Sequence, residues 1–248
     1  MSSPDLHAHE RGGGGGVGIG VLGAVGGAGA SVLAVALARR KASAGRAVLI
    51  DGSPVSGGLD LLVGVEEQPG ARWPDLDFAR GTVQAADVLT ALPAHADGLC
   101  VLSAARSPVA DTFAPTPGDT AAAATCLRSA DERVDVVVDL PSGQIVRDTV
   151  EVLDHLVLVV PAEVRAVAAA AQLNQRLSAL QMPVSVVLRH RGWSGMEATE
   201  VEGIIAAQVV AEVGTVSRLP RTVEMQGLGG ALPRVLVNAA DAIVAELS

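Results

Sequence analysis

The sequence predicts an α/β fold in which helices flank a parallel β-sheet. Short apolar runs alternate with segments of helical periodicity along most of the 248-residue chain, and this alternation is typical of β-α-β units. The first run passes through a glycine-rich turn into a helix, and two later runs end in aspartate. Together these features favour a single α/β domain that carries an anion-binding site.

Each predicted element follows from its own apolar pattern. Residues 17–22 form a short apolar run, and 31–40 have an apolar face that ends in basic residues, which the C-terminal end of a helix dipole favours. Further strands are expected at 47–50, 98–103, 134–139, 155–161 and 183–188. Further helices are expected at 84–92, 119–129, 162–180, 197–210 and 233–247.

The glycine-rich segment between the first strand and the first helix is the candidate phosphate-binding site. It reads GAVGGAGAS from 23 to 31. Glycines allow backbone N–H groups to close around phosphate oxygens, and the helix dipole favours the negative charge. The candidate phosphate-binding residues are Gly26, Gly27, Ala28, Gly29, Ala30, Ser31 and Val32.

The loop lacks the lysine of a Walker A sequence. That pattern, G-x-x-x-x-G-K-[ST], requires glycine at position 24 and lysine at position 30, where this chain has Ala24 and Ala30. Lys41 is the only lysine in the sequence, and it lies beyond the predicted end of the first helix. The sequence therefore predicts a phosphate cradle without its usual cation.

The loop resembles the deviant P-loop of the MinD/ParA family, K-G-G-x-G-K-[ST], with Val25 and Ala30 at the two lysine positions. It is most similar to the CpaE-like branch, also called TadZ-like or septum-site-determining (Ssd-like), in which lysine-poor versions of this degenerate Walker A loop occur. The resemblance implies a P-loop NTPase with a three-layer α/β/α fold. It also implies ATP or ADP with Mg²⁺ as the ligand.

The segment 51–60 resembles the first switch segment of that family, D-x-D-x-x-x-G-x-x-D. Asp51 and Asp60 match its first and last aspartates, and Ser53 replaces the second. In the family, the second aspartate helps to position the attacking water. Its replacement therefore argues against hydrolysis.

The run 134–139 closes on Asp139, which is the arrangement of a Walker B strand. Pro141 and Gly143 match the second switch segment of the family, D-x-P-x-G. The resemblance assigns no catalytic residue and no structural metal. It implies that any bound Mg²⁺ is held near Ser31, Asp51 and Asp139.

The missing lysines are expected to weaken nucleotide binding and to slow hydrolysis further. One charge-assisted hydrogen bond contributes about 1.5–3 kcal/mol, so its loss weakens binding roughly 10- to 100-fold. A cation of the arginine-finger type accelerates phosphoryl transfer by about 10³–10⁵, and the signature lysine replaced by Val25 has a related role across the family dimer. The resemblance therefore implies a positioning or assembly protein with weak ATP or ADP binding and little or no hydrolysis.

The resemblance also implies which partners such a protein has. They are proteins of a pilus or secretion apparatus or of the septum-placement machinery, and any homodimer is expected to form through apolar surface with little dependence on nucleotide. Trp73 lies in a segment interrupted by proline and glycine. Such a tryptophan is expected to close the edge of a core, with docking of a partner as the alternative.

Two other functions remain open. An active ATPase could use Arg147 or Arg189 in place of the missing lysine. A dinucleotide-dependent oxidoreductase could use Gly27 and Gly29 at the helix and Asp51 on the ribose hydroxyls. Against the oxidoreductase, valine stands at position 32 where a third glycine is expected, and the chain has no tyrosine.

Charge and composition limit the partners and the location. A net charge of −9 argues against attraction of the whole surface to nucleic acid or anionic lipid. The terminal helix is acidic, unlike a membrane-targeting helix, and no run of about 18 apolar residues is present. Cys100 and Cys126 are expected to be free thiols, so a cytoplasmic location is expected.

Residues 1–16 are polar and end in five glycines, which predicts a disordered tail before a folded domain of 17–248.

Overall fold

Seven parallel strands form one sheet within the part of the chain that the computed structural model describes, which is residues 16–78, 83–104, 113–130, 132–193 and 195–247. Apart from Gly16, the predicted tail lies outside these residues. The strands are β1 Gly18–Gly23, β2 Arg46–Asp51, β3 Leu99–Leu102, β4 Val134–Leu140, β5 His155–Pro161, β6 Val184–Arg189 and β7 Val209–Val213. Across the sheet their order is β3-β2-β4-β1-β5-β6-β7.

Helices cover both faces of the sheet. They are α1 Ala30–Ala42, α2 Leu59–Val63, α3 Ala85–Ala91, α4 Pro117–Arg128, α5 Arg147–Glu151, α6 Val164–Ala179, α7 Ala198–Ile205, α8 Leu219–Gln226 and α9 Arg234–Glu246. The apolar residues of α1, α2, α8 and α9 join one core cluster, and those of α3 to α7 join the other. Side chains of β4 alternate between the two clusters, with Val137 on one face and Val136 and Val138 on the other. The predicted three-layer α/β/α fold is therefore confirmed.

The predicted helix 197–210 is wrong in its second half. Helix α7 ends at Ile205 because Ala206 adopts a left-handed conformation, with a φ of 58°. The chain then forms the edge strand β7, which pairs with β6 through a register shift at Val186 and Val187. The apolar run that was predicted as the end of a helix is therefore a strand. Periodicity alone does not distinguish a short apolar run of a strand from one of a helix.

The sequence pattern also missed three short helices. Helices α2 and α5 have five residues each, too few to show a helical period. Helix α8 has eight residues, fewer than the roughly 11–18 over which a helical period is read; none of them is buried, although Leu219 and Val223 pack against a core cluster. Within the described residues, no helix is long and apolar enough to cross a bilayer.

The only lysine of the chain lies at the amino edge of the sheet, away from the glycine loop. Lys41 Nζ lies 2.8 Å from Asp135 Oδ2, and Asp135 Oδ1 accepts a hydrogen bond from the backbone N–H of Val17. Burial alone raises the pKa of Asp135, but the hydrogen bonds from Lys41 and Val17 outweigh it and lower that pKa. The pair therefore stabilises the fold at neutral pH, and this contribution is lost as the pH falls through the lowered pKa.

Replacing Lys41 with alanine is expected to lower the free energy of unfolding by about 3 kcal/mol at pH 7, because it leaves a nearly buried carboxylate with only the more distant and exposed Arg133, at 3.5 Å, as a cation. Urea unfolding followed by circular dichroism measures the change. Arg40→Ala is the matched control, since Arg40 pairs with Asp241 on the exposed surface and its loss is expected to cost about 0–1 kcal/mol. Equal effects in the two variants would contradict a structural role for Lys41.

Candidate nucleotide-binding site

The glycine loop turns the chain from β1 into α1 through two left-handed residues. Gly27 has a φ of 70° and Gly29, the N-cap of α1, has a φ of 93°. No side chain among the described residues caps α1, so the backbone N–H groups of its first turn can bind an anion. A Cβ at Gly29 would be strained, and it would lie 3.0 Å from Nη1 of Arg189. Glycine is therefore required at this position.

The predicted phosphate-binding residues all lie in this loop and in the first turn of α1. Gly26 and Gly27 are exposed, Ala28 and Ala30 are buried, and the remaining three are half-buried. Val25, at the first lysine position of the family pattern, packs against the core cluster of α3 to α7. The loop is thus exposed at Gly26 and Gly27, and it is apolar at positions 25 and 30, where the MinD/ParA pattern has lysine.

Two buried carboxylates face each other across neighbouring strands beside the loop. Asp51 of β2 is in register with Asp139 of β4, and they are 1% and 4% exposed. Within the described residues, Oδ2 of Asp51 and Oδ1 of Asp139 have no hydrogen-bond partner. Burial raises the pKa of Asp139 to about 7, the charge of Asp51 adds to the rise, and the hydrogen bond with Ser31 opposes it. Burial also raises the pKa of Asp51, against hydrogen bonds from Ser56 and Ser53.

These groups fit a magnesium ion. Mg²⁺ prefers oxygen ligands and is commonly held by one or two carboxylates together with phosphate and water oxygens. A cation here would satisfy the two carboxylate oxygens that lack partners and would favour the charged form of both acids. Ser31 lies beside them through its hydrogen bond with Asp139. In the part of the chain that the structure describes, no three His, Cys, Asp or Glu side chains form a metal cluster.

Two arginines from the end of β6 contact the other side of the loop. Nη1 of Arg189 donates to the carbonyl oxygens of Gly27 at 3.1 Å and Ala28 at 3.0 Å. Nη2 of Arg191 donates to Gly27 O at 2.9 Å, and its Nη1 lies 3.1 Å from Oε1 of Glu163. The loop is therefore flanked by cations on the β6 side and by carboxylates on the β2 and β4 side.

A mainly apolar cavity of about 330 Å³ opens next to Arg189. Its walls come from the glycine loop, from α1 and from the segment that follows β7, including Ala28, Val32, Val213, Val216 and Leu219. This volume lies at the lower end of the range for small-molecule sites. The cavity can take the aromatic base of a nucleotide whose phosphates extend over the N-terminus of α1.

Sequence relatives of the chain are found in Mycobacterium tuberculosis. No protein-family model matches the chain. Uncharacterized proteins of strains CDC 1551 / Oshkosh and ATCC 25618 / H37Rv are each 36% identical over 230 residues. The matched region is 91% of this chain and 62% of each relative, so the chain spans about three fifths of the length of these relatives.

Solved structures decide the fold. A ParA family ATPase of Chlorobium tepidum has a TM-score of 0.74 at 18% identity, covering 91% of this chain and 98% of its own. The septum site-determining protein MinD of Pyrococcus horikoshii, complexed with Mg-ADP, has a TM-score of 0.72 at 16% identity, covering 93% and 98%. The chain has the MinD/ParA fold. MinD in the MinC:MinD complex of Aquifex aeolicus also shares it, with a TM-score of 0.71 at 17% identity over 92% and 96%.

The strand order of this MinD/ParA fold argues against the dinucleotide-dependent alternative. In a dinucleotide-binding sheet the first two strands are neighbours, so the acid that ends the second strand can reach the ribose. Here β4 lies between β1 and β2. Asp51 therefore faces Asp139, at the candidate magnesium position, rather than the space above β1.

The predicted switch residues differ in what they contact. The backbone N–H of Ser53 donates to Oδ1 of Asp51 at 3.2 Å. Gly143, two residues after Pro141, donates from its backbone to Gly23 O at 2.9 Å, which joins the second switch segment to the start of the glycine loop. Asp60 is buried at the start of α2, where Arg72 and Ser103 hold its carboxylate. Asp60 therefore anchors its segment from within the core.

The suggestion that Trp73 docks a partner is wrong. Its side chain is 1% exposed, and its indole N–H donates to the backbone carbonyl of Asp51 at 2.8 Å. Its ring packs edge-on against Phe78 at 5.9 Å. The expected core position of Trp73 is confirmed, and the exposed tryptophan is Trp193, which is 74% exposed.

Sequence reasoning missed the β7 side of the site. The segment 213–219 lines the cavity, but the strand that leads into it was assigned in part to the predicted helix 197–210. Arg147, the other candidate substitute for lysine, pairs with Glu151 on its own helix and is 69% exposed. The contacts of Arg189 and Arg191 with the loop have no sequence signal beyond two arginines at the end of a strand.

Proposed function

We propose that this protein is a positioning or assembly protein of the CpaE/TadZ/Ssd type, which binds ATP or ADP with Mg²⁺ weakly and hydrolyses little or none of it. It acts in septum placement or in the assembly of a pilus or secretion apparatus. Its nucleotide site is a degenerate form of the MinD/ParA site. The protein therefore works through bound partners more than through turnover.

One observation carries this proposal: a left-handed glycine turn at the N-terminus of α1 lies beside two buried carboxylates, while both lysines of the family pattern are absent. The left-handed glycines leave the N-terminus of α1 open to an anion. Asp51, Asp139 and Ser31 provide a donor set for Mg²⁺. Backbone N–H groups and a metal support binding, but nothing at positions 25 and 30 can stabilise charge on a transferring phosphoryl group.

Hydrolysis needs a positioned water as well as a cation. Ser53 replaces the aspartate that has this role in the family, and its backbone N–H is bonded to Asp51. A serine hydroxyl is a weaker base than a carboxylate. The loss of the two lysines and the replacement of this aspartate by Ser53 therefore predict nucleotide binding with little turnover.

The partners are proposed to be proteins, and the location to be the cytoplasm. A solved structure with this fold, MinD of Aquifex aeolicus, is in complex with MinC, which supports a protein partner here. Cys100 and Cys126 are both unpaired thiols in the structure, and this fits a reducing compartment. A homodimer is proposed to form independently of nucleotide, because Val25 cannot reach a partner's phosphates as lysine does.

Replacing Gly29 with valine is expected to abolish nucleotide binding. A valine at a φ of 93° is strained, and its side chain would meet Arg189 at the loop. Wild-type protein is expected to bind Mg-ADP with a dissociation constant in the micromolar-to-millimolar range, or about −4 to −8 kcal/mol. Isothermal titration calorimetry measures both proteins, and circular dichroism checks that each is folded.

Gly45→Val is the matched control, because Gly45 lies in an exposed turn with no atom within 4 Å of an added Cβ. It is expected to bind like wild type. Unchanged affinity in Gly29→Val would contradict the assigned phosphate site. In the same preparations, ATP turnover near 1 s⁻¹, which is at the low end for ordinary enzymes, would contradict the proposal of little or no hydrolysis.

A further inference from the structure

We propose, on the basis of the nucleotide-binding function above, that Arg189 is the cation that replaces the missing loop lysine and that it binds the α- and β-phosphates of a nucleoside diphosphate. Such a site accepts ADP and ATP about equally, because the third phosphate has no protein cation of its own. The site then recognises a diphosphate and does not distinguish between the two nucleotides.

The position of Arg189 supports this assignment. It closes β6, and Nη1 lies 3.1 Å and 3.0 Å from the carbonyl oxygens of Gly27 and Ala28. A Cβ built on Gly29 would lie 3.0 Å from the same nitrogen. The guanidinium thus lies against the loop at the N-terminus of α1, where phosphates bind.

The charge balance around the loop favours an anionic ligand. Arg191 lies 3.1 Å from Glu163, but among the described residues no carboxylate lies within ion-pair distance of Arg189. Burial and then the charge of Arg191 lower the pKa of Arg189, and the charge of Glu163 opposes this shift. Its observed partners are neutral carbonyl oxygens, and phosphate oxygens form stronger, charge-assisted hydrogen bonds with arginine. A phosphate would therefore compete well for this side chain.

The strand order shows which phosphates Arg189 can reach. The cavity that can take a base lies on the β6 and β7 side of β1, and Asp51 and Asp139 lie on the β4 and β2 side. A nucleotide with its base in the cavity would cross the loop before its terminal phosphate reached Asp51 and Asp139, the carboxylates that would hold Mg²⁺. Because Arg189 lines the cavity and contacts the loop, it meets the phosphates nearest to the nucleoside.

Arg147 does not provide an equivalent cation. It is 69% exposed and pairs with Glu151 at 2.8 Å within α5. It is therefore a suitable control, since Arg147→Gln removes the same charge from the protein without touching the loop.

The experiment titrates Mg-ADP and Mg-ATP into wild type, Arg189→Gln, Arg189→Lys and Arg147→Gln by calorimetry. Wild type and Arg147→Gln are expected to bind both nucleotides with similar affinity. Arg189→Gln is expected to bind both of them roughly 10- to 100-fold more weakly, which corresponds to one lost charge-assisted hydrogen bond. Arg189→Lys is expected to recover most of the loss.

A rescue variant separates loss of the cation from damage to the loop. Adding Ala30→Lys to Arg189→Gln places a lysine at the usual P-loop position, and it is expected to restore binding of both nucleotides. A double variant that binds no better than Arg189→Gln would show structural damage and overturn the assignment.

Three other outcomes would also overturn the proposal. Unchanged affinity in Arg189→Gln would mean that the arginine does not contact the ligand. A loss confined to Mg-ATP would place it at the terminal phosphate. If wild type binds neither nucleotide, the proposed nucleotide-binding function itself fails. This outcome is distinguished from the other two because it is measured on the wild type alone.

Discussion

Replacing Asp139 with asparagine is expected to stabilise the metal-free protein by up to about 4 kcal/mol at pH 8. Burial is the main cause of its pKa of about 7, against an ordinary value of 3.8. A rise of one in a pKa corresponds to about 1.36 kcal/mol of free energy between the two protonation states. Asparagine keeps the shape and the capacity to accept from Ser31, but it removes a buried charge that faces Asp51.

The pH dependence has a definite sign. Between about pH 4 and pH 7 the folded protein holds a proton on Asp139 that the unfolded chain has released. The free energy of unfolding of the wild type therefore falls as the pH rises through this window, and the contribution of Asp139 levels off above it. In Asp139→Asn this contribution is absent, so the two proteins are expected to be similar near pH 4 and to diverge by pH 8.

Urea unfolding in the presence of a chelator, at pH 4.5 and pH 8, measures the effect. Asp87→Asn is the control, since Asp87 is exposed on α3 and its loss is expected to change stability by less than about 0.5 kcal/mol. Adding Mg²⁺ at pH 8 is expected to stabilise wild type and to leave Asp139→Asn unchanged. An asparagine variant less stable than wild type at pH 8 would show that Asp139 is a structural acid and not a strained metal ligand.

The stability cost of Asp139 connects the fold to the proposed function. Two carboxylates buried without partners for all their oxygens are costly in a metal-free protein. Structural acids elsewhere in the chain are paired, as Asp60 is with Arg72 and Asp135 with Lys41. The contrast favours a cation-binding role for Asp51 and Asp139.

Local pattern was enough to predict most of the sheet and the glycine loop. The six predicted strands are all present, since each is a short apolar run buried on both faces. The glycines and the strand-ending Asp51 and Asp139 identified one edge of the sheet because backbone geometry and parallel topology fix where such residues lie.

Long-range contacts could not be predicted in the same way. The sequence offered Arg147 and Arg189 equally as substitutes for the loop lysine. Arg189 meets the loop from a strand that is distant in sequence, and only the packing of β6 beside β5 brings it there. The edge strand β7 escaped detection because its apolar run follows directly on a helical pattern. Trp73 lies in an irregular segment, where sequence alone left core and surface positions open.

The two tryptophans of the chain are expected to contribute very differently to stability. Trp73→Ala is expected to lower the free energy of unfolding by about 3–5 kcal/mol, the usual cost of truncating a buried aromatic side chain. The indole also packs against Phe78 and stacks on Phe113 at 6.4 Å. In addition, its loss removes the hydrogen bond to the Asp51 carbonyl and leaves a buried acceptor without its partner.

Trp193→Ala is the matched control, because this tryptophan is 74% exposed and its loss is expected to change stability by no more than about 0.5 kcal/mol. Trp73→Phe keeps an aromatic ring and is expected to fall between the two, since it loses the N–H donor and part of the ring volume but not the whole aromatic side chain. Circular dichroism in urea is the measurement, because fluorescence would change with the tryptophans themselves. A Trp73→Ala protein as stable as wild type would contradict the core position and reopen a role for this segment in docking a partner. The expected result instead makes Trp73 the support that holds the backbone of Asp51, and with it one carboxylate of the candidate magnesium site, in place.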